Sequence, residues 1–455
     1  MSQSSPGSPP SPAGADTSTE LPTLRVAVLG AGTVGTEVLR LLSQQGVDLS
    51  HRIGARLEVI GVAVRNLTRD RGEHVPAELL TEDATSLVQQ SDLVIEVIGG
   101  IEPARTLLLE AMAGGASVVT ANKALLAQDG AALYEAADIH GVDLYFEAAV
   151  AGAIPLVRPV RESLAGDRIQ RVLGIVNGTT NYVLDAMTRT GASFDEALES
   201  AKELGYAEAD PTADVQGHDA AAKASILASL AFHTRVRLSD VHCEGITEVS
   251  AQDIAAATRM GRTIKLLSII ERIEDETGER VSARVYPALI PDSHPLASVS
   301  DAYNAVFIEA DAAGSLMFYG QGAGGAPTAS AILGDVVSAA RQRVRGGVGP
   351  RESRYAELDV IAIDDLRSAF YVSLTVQDRP GVLAEIAGTL SGYGISISTI
   401  HQELLEGDGT EQQALASIGI TTHRALESAM TASLDVFSAT ATVLGIDSVL
   451  RIEGE

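Results

Sequence analysis

The chain has 455 residues, of which 45% are hydrophobic, and this is enough for two or three packed domains. Its formal net charge of -27 argues against nucleic acid and anionic membrane surfaces as partners, and no apolar run is long enough to span a bilayer. The chain has a single cysteine, Cys243, which excludes an intramolecular disulfide. The histidines form no metal-binding motif. We expect a cytoplasmic protein.

Residues 1–22 are rich in Ser, Pro, Gly and Ala and contain no Lys or Arg. The basic region of a secretory signal or transit peptide is therefore missing from this segment. We expect a disordered tail, and its composition points to no function.

From residue 23 onward, short apolar runs alternate with helical periodicity. The predicted strands lie at 24–30, 57–64, 92–98, 117–120 and 142–147, and a predicted helix at 33–45 follows the first of them. This alternation indicates a doubly wound α/β sheet, so we predict a Rossmann domain at 23–150.

After about residue 150 the alternation becomes less regular, which predicts an α+β domain for substrate binding, catalysis and oligomerisation over 151–319. A glycine-rich loop at 319–327 precedes a predicted helix at 329–340, and we expect 320–341 to return to the nucleotide-binding domain. Gly, Pro and charged residues over 342–368 predict a linker.

The last segment, 369–453, predicts a separate module with βαββαβ order, the ferredoxin-like pattern. Pro380 stands in the first turn of its first predicted helix. The predicted elements are strands at 369–376, 395–401, 414–421 and 448–453, helices at 380–390 and 424–437, and a turn at 407–409.

Three glycines in a GxGxxG pattern, Gly30, Gly32 and Gly35, follow the first predicted strand and open the first helix. In a βαβ unit such glycines permit a tight turn, close approach of the backbone to a pyrophosphate, and close packing of helix on strand. A purely structural glycine turn is the alternative, and the complete βαβ context disfavours it. The pattern predicts a dinucleotide site.

The end of the second strand bears on cofactor preference, because NAD enzymes usually place an acid there for the ribose hydroxyls. This chain has Arg65 at that point. A basic residue suits a 2′-phosphate, so we predict NADP(H) as the preferred cofactor, with NAD(H) as the alternative. The competing interpretation is a solvent-facing arginine in a loop.

Residues 208–223 form an acidic segment that ends in a lysine. Asp219 and Lys223 are four residues apart in a stretch with helical composition. This spacing puts both side chains on one helix face, where the carboxylate could hold a substrate ammonium and the lysine could supply a proton. A chance pair on a surface helix is the alternative. The segment consists of Glu208, Asp210, Asp214, Asp219 and Lys223.

Two further residues could carry chemistry. Lys123 follows the predicted strand at 117–120, at the sheet edge where ligands bind. This position would place Lys123 near nicotinamide and substrate. A surface lysine at the start of a helix is the alternative. Cys243 could be a nucleophile only if its thiol had a lowered pKa. No neighbouring residue in the sequence would lower that pKa, so a structural cysteine is favoured.

The residues from 24 to 453 resemble the homoserine dehydrogenases of the long form, which end in an ACT domain. The resemblance implies an enzyme that interconverts L-aspartate 4-semialdehyde and L-homoserine with NAD(P)H, in the route to threonine, methionine and isoleucine. The motifs that carry it are GAGTVG at 30–35, VIEVIGGIEPA at 94–104, TANKALLA at 120–127, FEAAVAGAIP at 146–155, GIVNGTTNYVL at 174–184, LGYAEADPTADVQGHDAAAK at 204–223 and GQGAGGAPTASA at 320–331.

The same resemblance implies roles for individual residues. Lys223 would donate the proton, Asp219 and Glu208 would bind the substrate with Asp214 in support, and Lys123 would stand where cofactor and substrate meet. The cofactor set that it implies, taken with the glycine pattern, is Gly30, Gly32, Thr33, Val34, Gly35, Arg65, Lys123, Gly205, Gly322 and Gly324. A monovalent cation, usually sodium, would be held largely by backbone carbonyls of Glu147, Val150, Gly152 and Ile154.

The C-terminal motifs DRPGVL at 378–383 and GYGISI at 392–397 are similar to those of ACT domains, which bind amino acids. The implied effector is L-threonine, although a module kept only for assembly would look the same. Either interpretation favours a homodimer or homotetramer. The alternatives for the whole chain are an inactive NADP and amino-acid sensor, or an oxidoreductase for a related amino-acid aldehyde.

Overall fold

A computed structural model of the chain describes residues 21–276, 278–405 and 415–454. Within these residues the strands form one six-stranded sheet and one eleven-stranded sheet. Most of the predicted N-terminal tail and the predicted turn at 407–409 lie outside the described residues.

The first sheet is parallel, with strand order β3-β2-β1-β4-β5-β6, and this confirms the predicted Rossmann fold. Its middle strands are buried on both faces, which explains their continuous apolar sequences. Its strands are β1 (Thr23–Leu29), β2 (Arg56–Ala63), β3 (Leu80–Thr81), β4 (Leu93–Glu96), β5 (Ser117–Thr120) and β6 (Leu144–Tyr145). Its helices are α1 (Thr33–Ile53), α2 (Ala84–Gln89), α3 (Ala104–Ala113) and α4 (Lys123–His140).

Helix α1 runs eight residues past its predicted end at 45. Its buried stripe continues through Leu49 and Ile53, so packing carries the helix past Gly46. The helix stops at Gly54, which adopts φ 82 and donates its amide to the Ser50 carbonyl.

The second domain places helices on antiparallel strands. Its elements in chain order are α5 (Ala148–Ala151), β7 (Ile169–Ile175), α6 (Gly178–Thr190), α7 (Phe194–Glu203), α8 (Thr212–Val215), α9 (His218–Phe232), β8 (His242–Cys243), α10 (Ala251–Arg259), β9 (Arg262–Asp275), β10 (Gly278–Pro291), β11 (Tyr303–Ala310) and β12 (Gly314–Gln321). The chain then continues into α11 (Gly325–Val344), which belongs to the first domain. Helix α9 is buried over most of its length, because it lies between α4 and strands β9 and β10.

The predicted glycine-rich loop at 319–327 is much shorter in the structure. Strand β12 continues to Gln321, because it pairs with β11 and Tyr319 stacks on Tyr303 with ring centroids 5.1 Å apart. Only residues 322–324 form the loop before α11. Helix α11 then packs against α1, as Ile332, Leu333 and Val336 join the apolar cluster on that face of the first sheet.

The third domain has the predicted ferredoxin-like order and antiparallel pairing, β17-β13-β15-β14, which confirms that part of the fold class. Its elements are β13 (Arg367–Gln377), α12 (Val382–Gly392), β14 (Ile397–Leu405), β15 (Leu415–Thr422), β16 (Ala425–Leu426), α13 (Glu427–Ala439) and β17 (Val443–Ile452). The prediction for Pro380 was wrong, since α12 begins at Val382 after Gly381, whose φ of 98 no helical residue adopts.

The second and third domains share one sheet. Strand β17 pairs in parallel with β10, through Ala288 opposite Arg451 and Leu289 opposite Ile452. The segment before β13 also lies on β10, because the Ile361 amide donates to the Val281 carbonyl at 2.8 Å. The stretch predicted as a linker is therefore shortened by α11 and β13 at its two ends and attached to the sheet near its middle.

Candidate active site

A long cleft follows the carboxyl ends of the parallel strands and continues between the first and second domains. Its first part, a cavity of about 760 Å³, is lined by Gly30, Gly32 and Arg65. Its second part, a cavity of about 1230 Å³, holds Lys123, Asp219, Lys223 and Glu208 among its lining residues. The two cavities share the loop at 97–99 in their walls, so one extended ligand could occupy both.

The glycine-rich turn has the geometry that its sequence predicts. Gly30 adopts φ 106, which favours glycine, and a Cβ placed on Gly35 would lie 2.1 Å from the Gly30 carbonyl oxygen. No heavy atom lies within 4 Å of the position that a Cβ on Gly32 would take, so the backbone there is open to a ligand. Val34 lines the larger cavity, whereas Thr33 packs against the start of α11 near Gly325.

Beyond β2 the chain forms a small basic loop around Arg65. Asn66 closes the loop by accepting hydrogen bonds from the amides of Thr68 and Arg69, at 2.9 Å and 3.2 Å. Arg71 braces it by donating to the carbonyls of Arg69 and Asn66. In the described part of the chain neither Arg65 nor Arg69 forms an ion pair with a carboxylate, so both guanidinium groups are available to an anion.

At the other end of the cleft, Lys223 and Asp219 form a buried ion pair on α9. The Lys223 ammonium donates to Asp219 Oδ2 at 2.8 Å and to the Val176 carbonyl at 2.6 Å. Asp219 also pairs with the ammonium of Lys123, which begins α4 of the Rossmann domain and remains 46% exposed. The helical spacing does bring Asp219 and Lys223 together, and the carboxylate lies between two lysines from two domains.

Asn177 holds the acidic cluster together, and sequence reasoning did not single it out. Its Nδ2 donates to Asp214 Oδ1 at 2.7 Å and to Asp219 Oδ2 at 2.9 Å. Its Oδ1 accepts from the Thr180 amide at 2.9 Å and so caps α6. An asparagine followed by Gly-Thr-Thr is an N-cap signal, so the cap was visible in the sequence but its contact with the aspartates was not.

The charges in this cluster shift the pKa values of its members. Burial lowers the pKa of Lys223, and the negative charge of Asp219 opposes that shift. Burial would raise the pKa of Asp219, but the charges of Lys223 and Lys123 outweigh it and lower that pKa. Burial raises the pKa of Asp214, which the hydrogen bond from Asn177 only partly offsets. Asp219 is therefore the firmly ionised carboxylate of the group.

Glu208 and Gly205 lie in the part of the cleft that contains Lys223. Both line the larger cavity but not the one around Arg65. Glu208 is exposed and also lines a neighbouring cavity that opens beyond Lys123. Asp210 has a structural task, since its carboxylate accepts from the amide and hydroxyl of Thr212.

The segment expected to bind a cation is a tight turn that packs against the loop at 322–324. The Glu147 carboxylate is buried and accepts from three backbone amides, those of Leu156, Val157 and Arg158. A Cβ on Gly152, whose φ is 58, would lie 2.2 Å from the Gly322 carbonyl oxygen, while Val150 lines the larger cavity. No group of three or more His, Cys, Asp or Glu side chains suited to a metal exists among the described residues.

Asp335 anchors that turn to α11. Its carboxylate accepts from the Glu147 amide at 2.7 Å and from Arg158 at 2.7 Å. Burial raises the pKa of Asp335 to about 7, against the opposing charge of Arg158. These contacts join the turn containing Gly152 and Ile154 to the Rossmann domain.

Two other residues that sequence reasoning missed shape the nucleotide side. Glu96 is fully buried at the end of β4, and its Oε1 accepts from the amides of Ile98 and Gly99, both at 2.9 Å. Asn122 caps α4 through the Leu125 amide and donates to the Gly100 carbonyl. Both fix the loop that the two cavities share.

Cys243 is not placed for nucleophilic chemistry. Its Sγ lies 3.4 Å from the Gln216 carbonyl oxygen, to which the thiol donates. Burial raises the pKa of the thiol to about 11, which disfavours the thiolate. A structural cysteine is the interpretation that this geometry supports.

A Rossmann sheet with a glycine-rich turn, whose cleft opens on a buried lysine–aspartate pair, is typical of dinucleotide-dependent enzymes. The sequence matches three family models, homoserine dehydrogenase over residues 155–337, the homoserine dehydrogenase NAD-binding domain over 30–147, and the ACT domain over 370–409. The chain belongs to the homoserine dehydrogenase family and is an oxidoreductase of that family.

Similar proteins cover almost the whole chain. A homoserine dehydrogenase of Corynebacterium glutamicum is 56% identical over 431 residues, 94% of this chain and 95% of that protein. The structure of a homoserine dehydrogenase from Thiobacillus denitrificans has a TM-score of 0.87 at 38% identity, covering 95% of this chain and 98% of that one. A hyperthermophilic archaeal homoserine dehydrogenase mutant, solved in complex with NADPH, has a TM-score of 0.59 at 26% identity, covering 70% and 97%.

The comparisons confirm the predicted family, fold class and enzyme class. They also support an ACT domain that suggests an amino-acid effector. Among the described residues, no helix is both long and apolar enough to cross a membrane.

Proposed function

We propose that this chain catalyses the reversible, NADP(H)-preferring interconversion of L-aspartate 4-semialdehyde and L-homoserine, in the synthesis of threonine, methionine and isoleucine. The observation that carries the proposal is Asp219, a buried carboxylate between Lys123 and Lys223 at the inner end of a dinucleotide cleft. This cluster can bind an amino-acid ammonium and donate a proton within one site.

The cofactor fits the cleft at several points. The open backbone at Gly32 and the N-terminus of α1 suit a pyrophosphate, and Arg65 suits a 2′-phosphate. Gly322 and Gly324 line the larger cavity opposite the catalytic cluster, where the nicotinamide end would lie. When bound, the cofactor supplies or accepts the hydride.

The protein's own contribution is to control charge at the aldehyde oxygen. Reduction makes this oxygen negative, and an ammonium within reach stabilises the charge and donates a proton. Lys223 is held for this task by Asp219 and the Val176 carbonyl, which fix two of its three N–H bonds and leave the third for substrate. Lys123 is exposed enough to reach the same oxygen or the cofactor.

The acidic side chains around the lysines suit the amino-acid end of the substrate. Glu208 and Asp214 line the same cavity as Lys223, and Asp219 is its ionised neighbour. A substrate whose ammonium group lies among these carboxylates would direct its aldehyde or alcohol end toward Lys223. We assign Glu208, Asp214 and Asp219 to substrate binding on this basis.

The test is absorbance of the reduced nicotinamide with L-homoserine and either NADP or NAD, in sodium-containing buffer. We expect reduction of both cofactors, with a lower KM for NADP, and inhibition when L-threonine is added. A folded sample that binds NADPH but turns over neither cofactor would overturn the proposal and support the sensor interpretation.

The preference for NADP leads to a first prediction about Arg65. Arg65→Ala should raise the KM for NADPH about tenfold or more and leave the KM for NADH nearly unchanged, because a charge-assisted contact with a phosphate is lost. Steady-state assays with both cofactors measure this. Arg56→Ala, at the opposite end of β2, is the matched control, and equal effects on both cofactors would remove Arg65 from the phosphate site.

A second prediction concerns the cation. We propose that backbone carbonyls of Glu147, Val150, Gly152 and Ile154 hold a monovalent cation, because the Glu147 carboxylate is already occupied by amides. Replacing choline with sodium at constant ionic strength should raise the Tm by roughly 1–3 °C, as expected for a ligand of the folded state. Thermal melts measure this without turnover.

The control for the cation uses two glycines. Gly152→Ala should abolish the sodium-dependent shift, because the added Cβ would meet the Gly322 carbonyl, whereas Gly166→Ala has open space and should keep the shift. Equal shifts in sodium and choline for the unaltered chain would contradict the site.

We also propose that L-threonine binds the third domain and that the chain is a homo-oligomer. A cavity of about 370 Å³ before α12 includes Asp378 and Gln402, which suit a small amino acid. At the ends of the larger sheet, β12 and β14 carry exposed apolar side chains such as Met317 and Leu404. Exposed edge strands of this kind are a common place for copies of a chain to pair.

A further inference from the structure

An arginine on the last strand, with a side chain that is 12% exposed, connects the third domain to the second. Arg451 donates to both Glu427 oxygens, at 2.8 Å and 2.9 Å, and to Glu244 Oε2 at 2.8 Å. Its guanidinium lies over the Tyr286 ring, 4.5 Å from the centroid. Arg451 therefore contacts its own domain through Glu427 and the second domain through Glu244 and Tyr286.

Glu244 belongs to a short segment that is itself fixed on the sheet. Its amide donates to the Val285 carbonyl at 2.7 Å, directly after the two residues of β8. His242 Nε2 lies 2.7 Å from Glu244 Oε1. Burial opposes ionisation of Glu244, but the bond from His242 and the charge of Arg451 outweigh it and lower the pKa of Glu244 to about 2.

The residues around Glu244 pack without space against the turn that precedes the catalytic helix. A Cβ on Gly245 would lie 2.3 Å from the Val215 carbonyl oxygen, and the Ile246 amide donates to that same oxygen at 2.8 Å. On the other side of Glu244, a Cβ on Gly217 would lie 3.0 Å from Cys243 Sγ. Residues 243–246 therefore support residues 215–217 by direct contact.

Residues 215–217 set the position of the ion pair in the active site. Gly217 is the N-cap of α9, with φ 81, and its carbonyl accepts from the Ala221 amide at 2.9 Å. Asp219 and Lys223 follow within the first two turns of the same helix. Asp214 lies immediately before this turn and shares the Asn177 amide with Asp219.

We propose that Arg451 is a positioning residue for the reaction, acting through Glu244 and the 215–217 turn on Asp219 and Lys223. The third domain thereby touches the catalytic helix by one continuous chain of contacts, and displacement of β17 misplaces the proton donor. This inference rests on the proposed function, because it assigns Lys223 to proton transfer.

The test compares full-length Arg451→Gln, Glu244→Gln and the double variant in homoserine oxidation. Each single change should lower kcat about tenfold or more with little effect on the KM for NADP, since a small misplacement of a catalytic group is costly. The loss of kcat in the double variant should be smaller than the product of the two single losses, because both changes remove the same Arg451–Glu244 contact. Arg451→Lys should restore part of kcat by keeping the charge.

Arg171→Gln is the matched control, because Arg171 pairs with Glu453 in the same buried junction and, among the described residues, forms no hydrogen bond or ion pair with residues 243–246. It should lower the Tm as the test variants do and leave kcat unchanged. Equal losses of Tm in all variants with normal kcat would overturn the inference. If Glu244→Gln does not fold, a normal kcat in Arg451→Gln would by itself overturn the inference. An unaltered chain without activity would count against the proposed function and not against this inference.

Discussion

Replacing Lys223 with alanine should lower kcat for homoserine oxidation by about a hundredfold or more, while NADPH binding should stay close to that of the unaltered chain. A positioned general acid or base contributes on this scale, and Lys223 is the buried ammonium held by Asp219 and the Val176 carbonyl. Lys223 lines the larger cavity and not the one around Gly30 and Gly32, so the cofactor should still bind. Steady-state kinetics and fluorescence titration with NADPH measure the two quantities.

Lys202→Ala is the control for this change, because Lys202 pairs with Glu199 on the surface of α7 and lines neither cavity of the cleft. Retention of near-normal kcat by Lys223→Ala would remove it from proton transfer. The rates of the two reaction directions should depend on pH in opposite ways. Aldehyde reduction needs protonated Lys223, so this direction should slow as pH rises through a lysine pKa that burial has lowered, whereas oxidation should slow as pH falls through it.

Asp219→Asn is the second change with a large expected effect, and it should reduce both turnover and stability. The variant keeps the shape of the side chain but leaves Lys223 buried without its carboxylate, and breaking a buried pair in this way costs about 3–5 kcal/mol. The pKa of Lys223 should fall further, because the charge of Asp219 is what opposes the effect of burial. We expect kcat for reduction to drop about a hundredfold or more.

The loss of stability should itself depend on pH. A lysine whose folded pKa lies below its unfolded value of about 10.4 binds fewer protons when folded, so the stability deficit of the variant shrinks as pH rises through that window. Chemical denaturation at several pH values measures this. Asp253→Asn, a change in the buried capping box of α10, should lose stability without losing kcat, and an Asp219→Asn protein with normal kcat would refute the assigned role.

The fold was largely predictable because its signals are local. Continuous apolar strands, the GxGxxG turn and the βαββαβ order each follow from the period of nearby residues. Two boundaries that were wrong had local causes: α1 continues past Gly46 because its apolar stripe continues, and α12 begins only after Gly381, whose φ is 98. Another boundary was wrong because of a partner in another strand: β12 continues into a glycine-rich stretch because it pairs with β11, and local composition does not reveal that pairing.

The site was predictable only in part for the same reason. Helical spacing places Asp219 beside Lys223, and a strand end places Lys123 near the cleft, but no spacing rule brings Lys123 from another domain onto Asp219. Asn177 was visible as a helix cap and not as a donor to two aspartates. The roles assigned to these residues remain predictions until the variants are measured.

The shared sheet has a practical consequence for anyone who would isolate the catalytic part by cutting the chain before residue 367. Removal of β17 would strip β10 of a parallel neighbour and leave backbone groups at 288–289 unpaired. It would also remove Glu453 from Arg171 and Arg284, and Arg451 from the face of Tyr286. Buried groups would thus lose their partners, so loss of activity in such a fragment would report damage to the sheet and not relief or loss of regulation.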